Sequence, residues 1–286
     1  MTSRPPSPWD QASIRTADTR KRENVDRRQE VVADRDQGFA PRRDAGNKHE
    51  LRYYGLNAVQ AVFAHRPDAI RKVYLSEARI PQLQPLLGWC VKQRIGYRVV
   101  EEADLGKLAA SSHHEGVVAD VLRSEPQDLS SWLESLPAGP ALAIWLDGVG
   151  NPHNFGAILR SAAHFGVAAI LQSQESTLAI SGAAARVAEG AAEHVPLVRM
   201  LDREDAFTAL HAAGFTLAAT VVRGGEDVFS TTLPERLVYL LGAEAEGVDE
   251  ALAAACDVKL SIPGSGAVDS LNVAAATAVF LAQWRH

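Results

Sequence analysis

Cysteine is scarce. The 286-residue chain has two, Cys90 and Cys256, which fall in different predicted units and outside any CxxC or Cys/His ligand spacing. Disulfide and zinc scaffolds are thereby excluded, and both thiols are expected as small buried hydrophobes. Nor is there a run of about 18 apolar residues, so no membrane span is expected. The first segment is charged and Pro-rich rather than a basic stub followed by an apolar stretch, which argues against a signal peptide and for a cytoplasmic protein. No GxGxxG follows any strand candidate and no phosphate loop is present, so a dinucleotide site is not expected. What the chain does have is a 47% hydrophobic composition, enough to fill one large core or two ordinary ones, with two folded units favoured.

The net charge of −6 conceals an uneven distribution. Residues 1–48 sum to +3, residues 49–125 to +1 and residues 126–286 to −10. A polyanionic partner should first meet the N-terminal 125 residues, because neutralisation of phosphates by Lys and Arg supplies most non-specific nucleic-acid affinity. Residues 1–48 lack apolar periodicity and are expected as a disordered charged tail. That tail is either a solubilising segment or an RNA-tethering arm built on Arg20, Lys21, Arg22, Arg27 and Arg28.

Residues 49–123 read as a small α/β unit. Helical spacing at 57–65 and 83–94 alternates with short strand patterns at 72–75, 97–100 and 116–121. Residues 124–140 carry Pro126, Pro137, Gly139 and Pro140 and read as a linker with one short amphipathic piece. In residues 141–286, strand candidates at 141–146, 167–171, 216–222, 237–241 and 259–262 alternate with Ala-rich helix candidates at 155–165, 183–192, 204–213, 250–255 and 271–284. The predicted class is α/β, a parallel sheet covered by helices on both faces, with ligands beyond the carboxyl ends of its strands.

Three segments start at such ends. In the first, 147–162, Gly148, Gly150 and Pro152 force an irregular turn, Asn154 is expected to cap the next helix, and Arg160 follows six residues on. In the second, 239–248, an apolar strand stops at Gly242 and delivers Glu244 and Glu246 into a turn closed by Gly247. Carboxylates there are costly unless solvated or paired; they suit a ligand, a neighbouring backbone or a helix N-terminus. In the third, 260–274, Gly264 and Gly266 permit close backbone approach to a ligand. Asp269 or Ser270 is expected to cap a helix whose first turn holds Asn272.

Together the segments resemble the three signature motifs of the SpoU (TrmH-like) family of SPOUT RNA 2′-O-ribose methyltransferases: N-P-x-N-x-G-A-I-x-R-[ST]-A, G-x-E-x-x-G and I-P-x-x-G-x-x-x-S-L-N-V, in that order. The unit before them, ending in His113-His-Glu-Gly-Val-Val118, resembles the family's ribosomal-protein-like RNA-binding domain, with Glu115 where the family usually has Gln. The stretch 183–194 is similar to the YfiF-like subgroup. The resemblance implies a C-terminal trefoil knot, a homodimer, S-adenosylmethionine as cofactor, and rRNA or tRNA as substrate. It implies cofactor contacts from backbone atoms of Gly242, Ile262 and Leu271, and reaction chemistry from Asn154, Arg160, Glu244, Ser270 and Asn272, each on its matching motif position. Ala243 stands where the family often has Asn.

A ribose 2′-hydroxyl must be aligned with the methyl group and lose its proton as the C–O bond forms. A guanidinium is not normally deprotonated in proteins, so Arg160 is expected as an electrostatic anchor for phosphate and developing alkoxide rather than as the base, the other role open to it. The alternative class is a non-catalytic RNA-binding protein that keeps the fold.

Overall fold

The structure, a computed structural model, describes residues 49–244 and 246–285; the expected tail at 1–48 lies outside the described residues. Residues 49–285 hold two sheets. The smaller comprises β1 (Glu50–Tyr54), β2 (Ile70–Leu75), β3 (Gly96–Val99) and β4 (Val117–Leu122) in the order β1-β4-β2-β3. Central β4 is antiparallel to both neighbours, and β3 runs parallel to β2. Helices α1 (Leu56–His65), α2 (Ile80–Gln93) and α3 (Glu102–Ala109) complete this part. Its core is aliphatic, Val59, Val62, Ile70, Val73, Leu83 and Val121 among others, and includes the fully buried Cys90. Cys256 is only partly buried, and burial, with the charge of Asp257, pushes its thiol up to about 12.

The larger sheet is wholly parallel, with the order β10-β12-β9-β11-β6-β7-β8-β5. Its strands are β5 (Gln127–Asp128), β6 (Ala141–Asp147), β7 (Ala169–Ser173), β8 (Leu197–Met200), β9 (Thr216–Thr220), β10 (Glu226–Asp227), β11 (Arg236–Gly242) and β12 (Val258–Ser261). Alternation along β6 sorts the helices into two layers, because successive strand residues face opposite ways. Leu142, Ile144 and Leu146 pack on α5 (Pro152–Phe165), α6 (Gly182–Ala188) and α9 (Val273–Arg285). Ala141, Ala143 and Trp145 pack with Trp132, Leu210 and Leu252 of α4 (Leu129–Ser135), α7 (Arg203–Ala212) and α8 (Glu250–Ala255). No helix among the described residues is long and apolar enough to cross a membrane.

The stretch 124–140, expected as a linker, contributes β5 and α4 to the edge of this sheet. Gln127 and Asp128 pair with Val198 and Arg199, and Trp132 is buried against Phe215. Asp128 caps α4 through the Ser131 N–H, and hydrogen bonds from Ser130 and Ser131 hold its carboxyl well below the usual range.

The two sheets meet at α6 and the turn after it. A Cβ on Gly182 would lie 2.4 Å from the Arg52 carbonyl oxygen, and one on Gly190 would lie 2.9 Å from Ala61 Cβ. Arg186 donates from Nη2 to Glu115 Oε1 (2.5 Å), from Nε to the His113 carbonyl (3.2 Å), and from Nη1 to Glu189. Glu115 Oε2 also accepts from Leu56 N–H (2.9 Å), so it caps α1, whose N-cap position, Gly55, has no side chain to do so. Asn57 donates to Glu189 (2.6 Å), and Arg66 forks onto Glu193 (2.5 and 3.0 Å). Glu115 is therefore a charged strut where a glutamine would be a neutral one.

Arg186→Ala should lower stability by about 2 kcal/mol in chemical denaturation, the scale of hydrogen bonds to charged groups. Burial raises the Glu189 pKa, but the Asn57 and Arg186 hydrogen bonds and the charges of Arg186 and Arg160 outweigh it and leave the pKa below its ordinary 4.5. A depressed carboxylate stabilises the fold above its unfolded pKa and loses that contribution as pH falls through the folded value. Wild type should lose stability as pH drops below 4.5, more steeply than Glu189→Gln in a pH series of denaturation midpoints.

Candidate active site

β6 and β11 are register neighbours to their ends, Asp147 opposite Gly242. The chain leaves both strands at the middle of the sheet, where the strand order reverses and α/β sheets place their ligands. After β6, Gly148 takes φ +72° and the helix starts at Pro152. Asn151, not Asn154, is the N-cap: its Oδ1 accepts from His153 N–H at 2.8 Å. Proline at the first helical position sets the start, since its fixed φ and missing N–H suit that place. Asn154 thus lies within the first turn, its amide free for another element. Gly156, one turn into α5, lets α6 approach, a Cβ there meeting the Ala184 carbonyl oxygen at 2.5 Å.

At the end of β11 the chain doubles back so tightly that a Cβ on Gly242 would lie 1.9 Å from the Gly247 carbonyl carbon. Gly247, at φ +72°, donates to the Ala243 carbonyl at 2.8 Å. Spacing and identity of the two glycines are both set by this return. The loop is tied to β6 by Asp249 N–H donating to Asp147 Oδ2 at 2.9 Å. Asp147, which also faces Arg203 at 3.5 Å, was not singled out from sequence; its signal was its place as the first polar residue after six apolar ones.

The third segment runs from Ile262 to Asn272 without regular structure. Asn272, rather than Asp269 or Ser270, caps the last helix, its Oδ1 accepting from Ala274 N–H at 3.0 Å and Ala275 N–H at 3.4 Å. Asp269 instead pairs with Arg223 at the exposed surface.

The three segments converge on one hydrogen-bonded cluster. Glu244 Oε1 accepts from Asn154 Nδ2 at 2.8 Å and from Asn272 Nδ2 at 2.5 Å, and Asn272 Nδ2 also reaches Asn154 Oδ1 at 3.1 Å. Arg160 and Ser270 are not in this cluster: both side chains are exposed, and Arg160 lies where its charge acts on Glu189. Residues 263–270 make no backbone–backbone hydrogen bond among the described residues, and Leu271 is 49% exposed. Backbone donors and acceptors beside apolar side chains suit a flat heteroaromatic ligand such as adenine. The expected cofactor positions Gly242, Ile262 and Leu271 border this edge, with Gly242 itself enclosed by the returning chain.

Residues 141–282 match the model of the SpoU rRNA methylase family, and residues 53–127 match that of RNA 2′-O ribose methyltransferase substrate binding. The chain belongs to the SpoU rRNA methylase family. Among its relatives is an uncharacterized tRNA/rRNA methyltransferase YfiF of Escherichia coli, 36% identical over 82% of this chain and 68% of the relative. Another is the 23S rRNA (guanosine-2′-O-)-methyltransferase RlmB of Haemophilus influenzae, 34% identical over 80% of this chain and 94% of the relative. The AdoMet-bound rRNA methyltransferase from Sinorhizobium meliloti superposes with a TM-score of 0.68 at 25% identity, covering 83% of this chain and 87% of that one. AviRb of Streptomyces viridochromogenes shares the fold, with a TM-score of 0.69 at 23% identity, covering 83% and 90%.

Gly242→Ala should displace the 243–248 loop and break the Glu244 contacts. Since overpacking typically costs about 1–3 kcal/mol, a clear drop in melting temperature is expected; an unchanged one would contradict the geometry.

Proposed function

We propose that this chain transfers the methyl group of S-adenosylmethionine to a ribose 2′-hydroxyl of RNA, acting as a cytoplasmic homodimer. The observation that carries the reading is the Asn154–Glu244–Asn272 cluster, assembled from all three motifs at the adjoining ends of β6 and β11. In this reading residues 49–123 hold substrate RNA and residues 141–286 form the catalytic domain. The chain threads a trefoil knot around the cluster, a reading supported by β11 lying between β9 and β6 and by the return of α9 onto α5. The dimer is supported by apolar side chains left in the open beside the site, Val268 (72% exposed) and Leu271.

When bound, the cofactor supplies an electrophilic methyl group on a sulfonium. Backbone groups of Gly242, Ile262 and Leu271 hold it, and the cluster fixes the two loops that carry them. Arg160, exposed on α5, binds the phosphate next to the target ribose and stabilises negative charge on the 2′-oxygen, the proton leaving to phosphate or water. Ser270, exposed two residues before Asn272, adds a hydroxyl to the RNA side of the loop. Whether the RNA is ribosomal or transfer is a matter of contacts beyond this cluster.

Calorimetry should show stoichiometric S-adenosylmethionine binding by wild type and Arg160→Ala alike, while methyl transfer by the variant falls about 10²–10³-fold. Absence of binding at millimolar cofactor, or wild-type turnover by Arg160→Ala, would overturn the reading. Arg160→Lys should stay impaired at every pH if Arg160 is an anchor; recovery as pH rises would make it the base.

A further inference from the structure

Near the carboxyl ends of β7 and β8, Gln172 and Arg199 are register partners and share a face of the large sheet. Two residues earlier on the same strands, Ile170 and Leu197 are packed with Phe155 and Ile158 of α5. Polar residues thus replace the apolar stripe where it reaches the strand ends. Gln172 is 2% exposed, and neither its Nε2 nor the buried Nε of Arg199 has a hydrogen-bond partner among the described residues. Buried donors of this kind are rare, because leaving them unpaired forfeits the hydrogen bonds they made with water.

Both side chains line a cleft of about 130 Å³, open to solvent, between the sheets, with Leu51, Tyr53, Arg123 and Glu125 on its other side. Neither arginine forms an ion pair with a described carboxylate, although Arg199 belongs to the acidic part of the chain and Glu125 stands at the same cleft. Two guanidinium groups and an amide donor without side-chain partners among the described residues, with apolar walls between them, suit a ligand that joins a phosphate to a flat ring bearing an acceptor.

β8 lies two strands from β6, roughly 10 Å across the sheet, so a strand of RNA reaching the Asn154–Glu244–Asn272 cluster passes the cleft within a short run of nucleotides. We propose that the cleft binds a ribonucleotide neighbouring the methylated one, its phosphate held by Arg199 and Arg123 and an acceptor of its base by the Gln172 amide. Glu125 accepts from its ribose hydroxyl. The proposal rests on the RNA-methyltransferase reading and adds a contact outside the three motifs.

The test is fluorescence anisotropy of the full chain with a short labelled single-stranded RNA, across a salt series, for wild type, Arg199→Gln and Gln172→Leu. Arg199→Gln should weaken binding and reduce the salt slope by about 0.7, the share of one phosphate contact on a single strand. Gln172→Leu separates binding from structure: a leucine relieves an unpaired buried amide, so melting temperature should hold or rise while RNA affinity falls about three- to tenfold. S-adenosylmethionine affinity should be unchanged in both. RNA affinity and salt slope equal to wild type in both variants would overturn the cleft assignment and leave the methyltransferase reading standing. A wild-type chain that binds no RNA would overturn both. If a nucleoside 5′-monophosphate binds wild type and is lost in the variants while RNA affinity is untouched, the ligand is a free nucleotide and the RNA assignment is wrong.

Discussion

Room for a single hydrogen atom at Gly242 decides how the large sheet ends. Because the backbone of Gly247 and Val248 occupies the space that any side chain would need, β11 can stop beside β6 and turn back on itself. That return carries Glu244 to Asn154 and Asn272, side chains from two other connections. The carboxylate is the one acceptor they share, so three loops that would each wander alone hold one another in place. Their cohesion is polar and lies at the surface, where water competes with every bond. The rigid part is the packed backbone beneath.

The same logic of close approach joins the two sheets. Gly156 admits α6 against α5, Gly182 admits β1 against α6, and Gly190 admits α1 against the turn beyond. Arg186, Glu115, Glu189 and Glu193 then fill the seam with charged hydrogen bonds. Arg160 stands one helix away from this seam, and its charge reaches Glu189. The group assigned to the RNA backbone is therefore linked electrostatically to the contact that fixes the smaller sheet.

Much of this was legible in the sequence. The buried strands of the large sheet announced themselves as apolar runs, and every expected strand from 141 onward has a counterpart in β6, β7, β9, β11 or β12. β8 was missed because the four residues Leu-Val-Arg-Met are too few to show a period, and β5 because two residues among polar and proline neighbours carry none. β1 carried a short alternation, Glu50-Leu-Arg-Tyr53, that went unread beside the charged segment before it, and α3 opens on a run of acidic residues with few apolar positions. At the site, the motif order placed Asn154, Glu244 and Asn272 after three different strands, and the fold supplied their meeting. Capping was misread twice. Asn154 and Ser270 were plausible caps by residue type, but Pro152 sets the start of one helix, and in the other Asn272 accepts the first N–H groups. The seam at α6 was invisible, since a stripe of alanines says nothing about which two surfaces it separates.

Helix α6 is seven residues long, yet its alanines belong to both cores: Ala184 and Ala188 to the large sheet's, Ala185 to the small sheet's. It is a party wall. Residues 49–286 accordingly form one compact unit despite holding two sheets. The boundary in the chain and the boundary in space do not coincide: cutting near residue 125 would strip one side of a wall that the remaining half needs for its own core. With one helix packed into both cores, the two sheets should melt together.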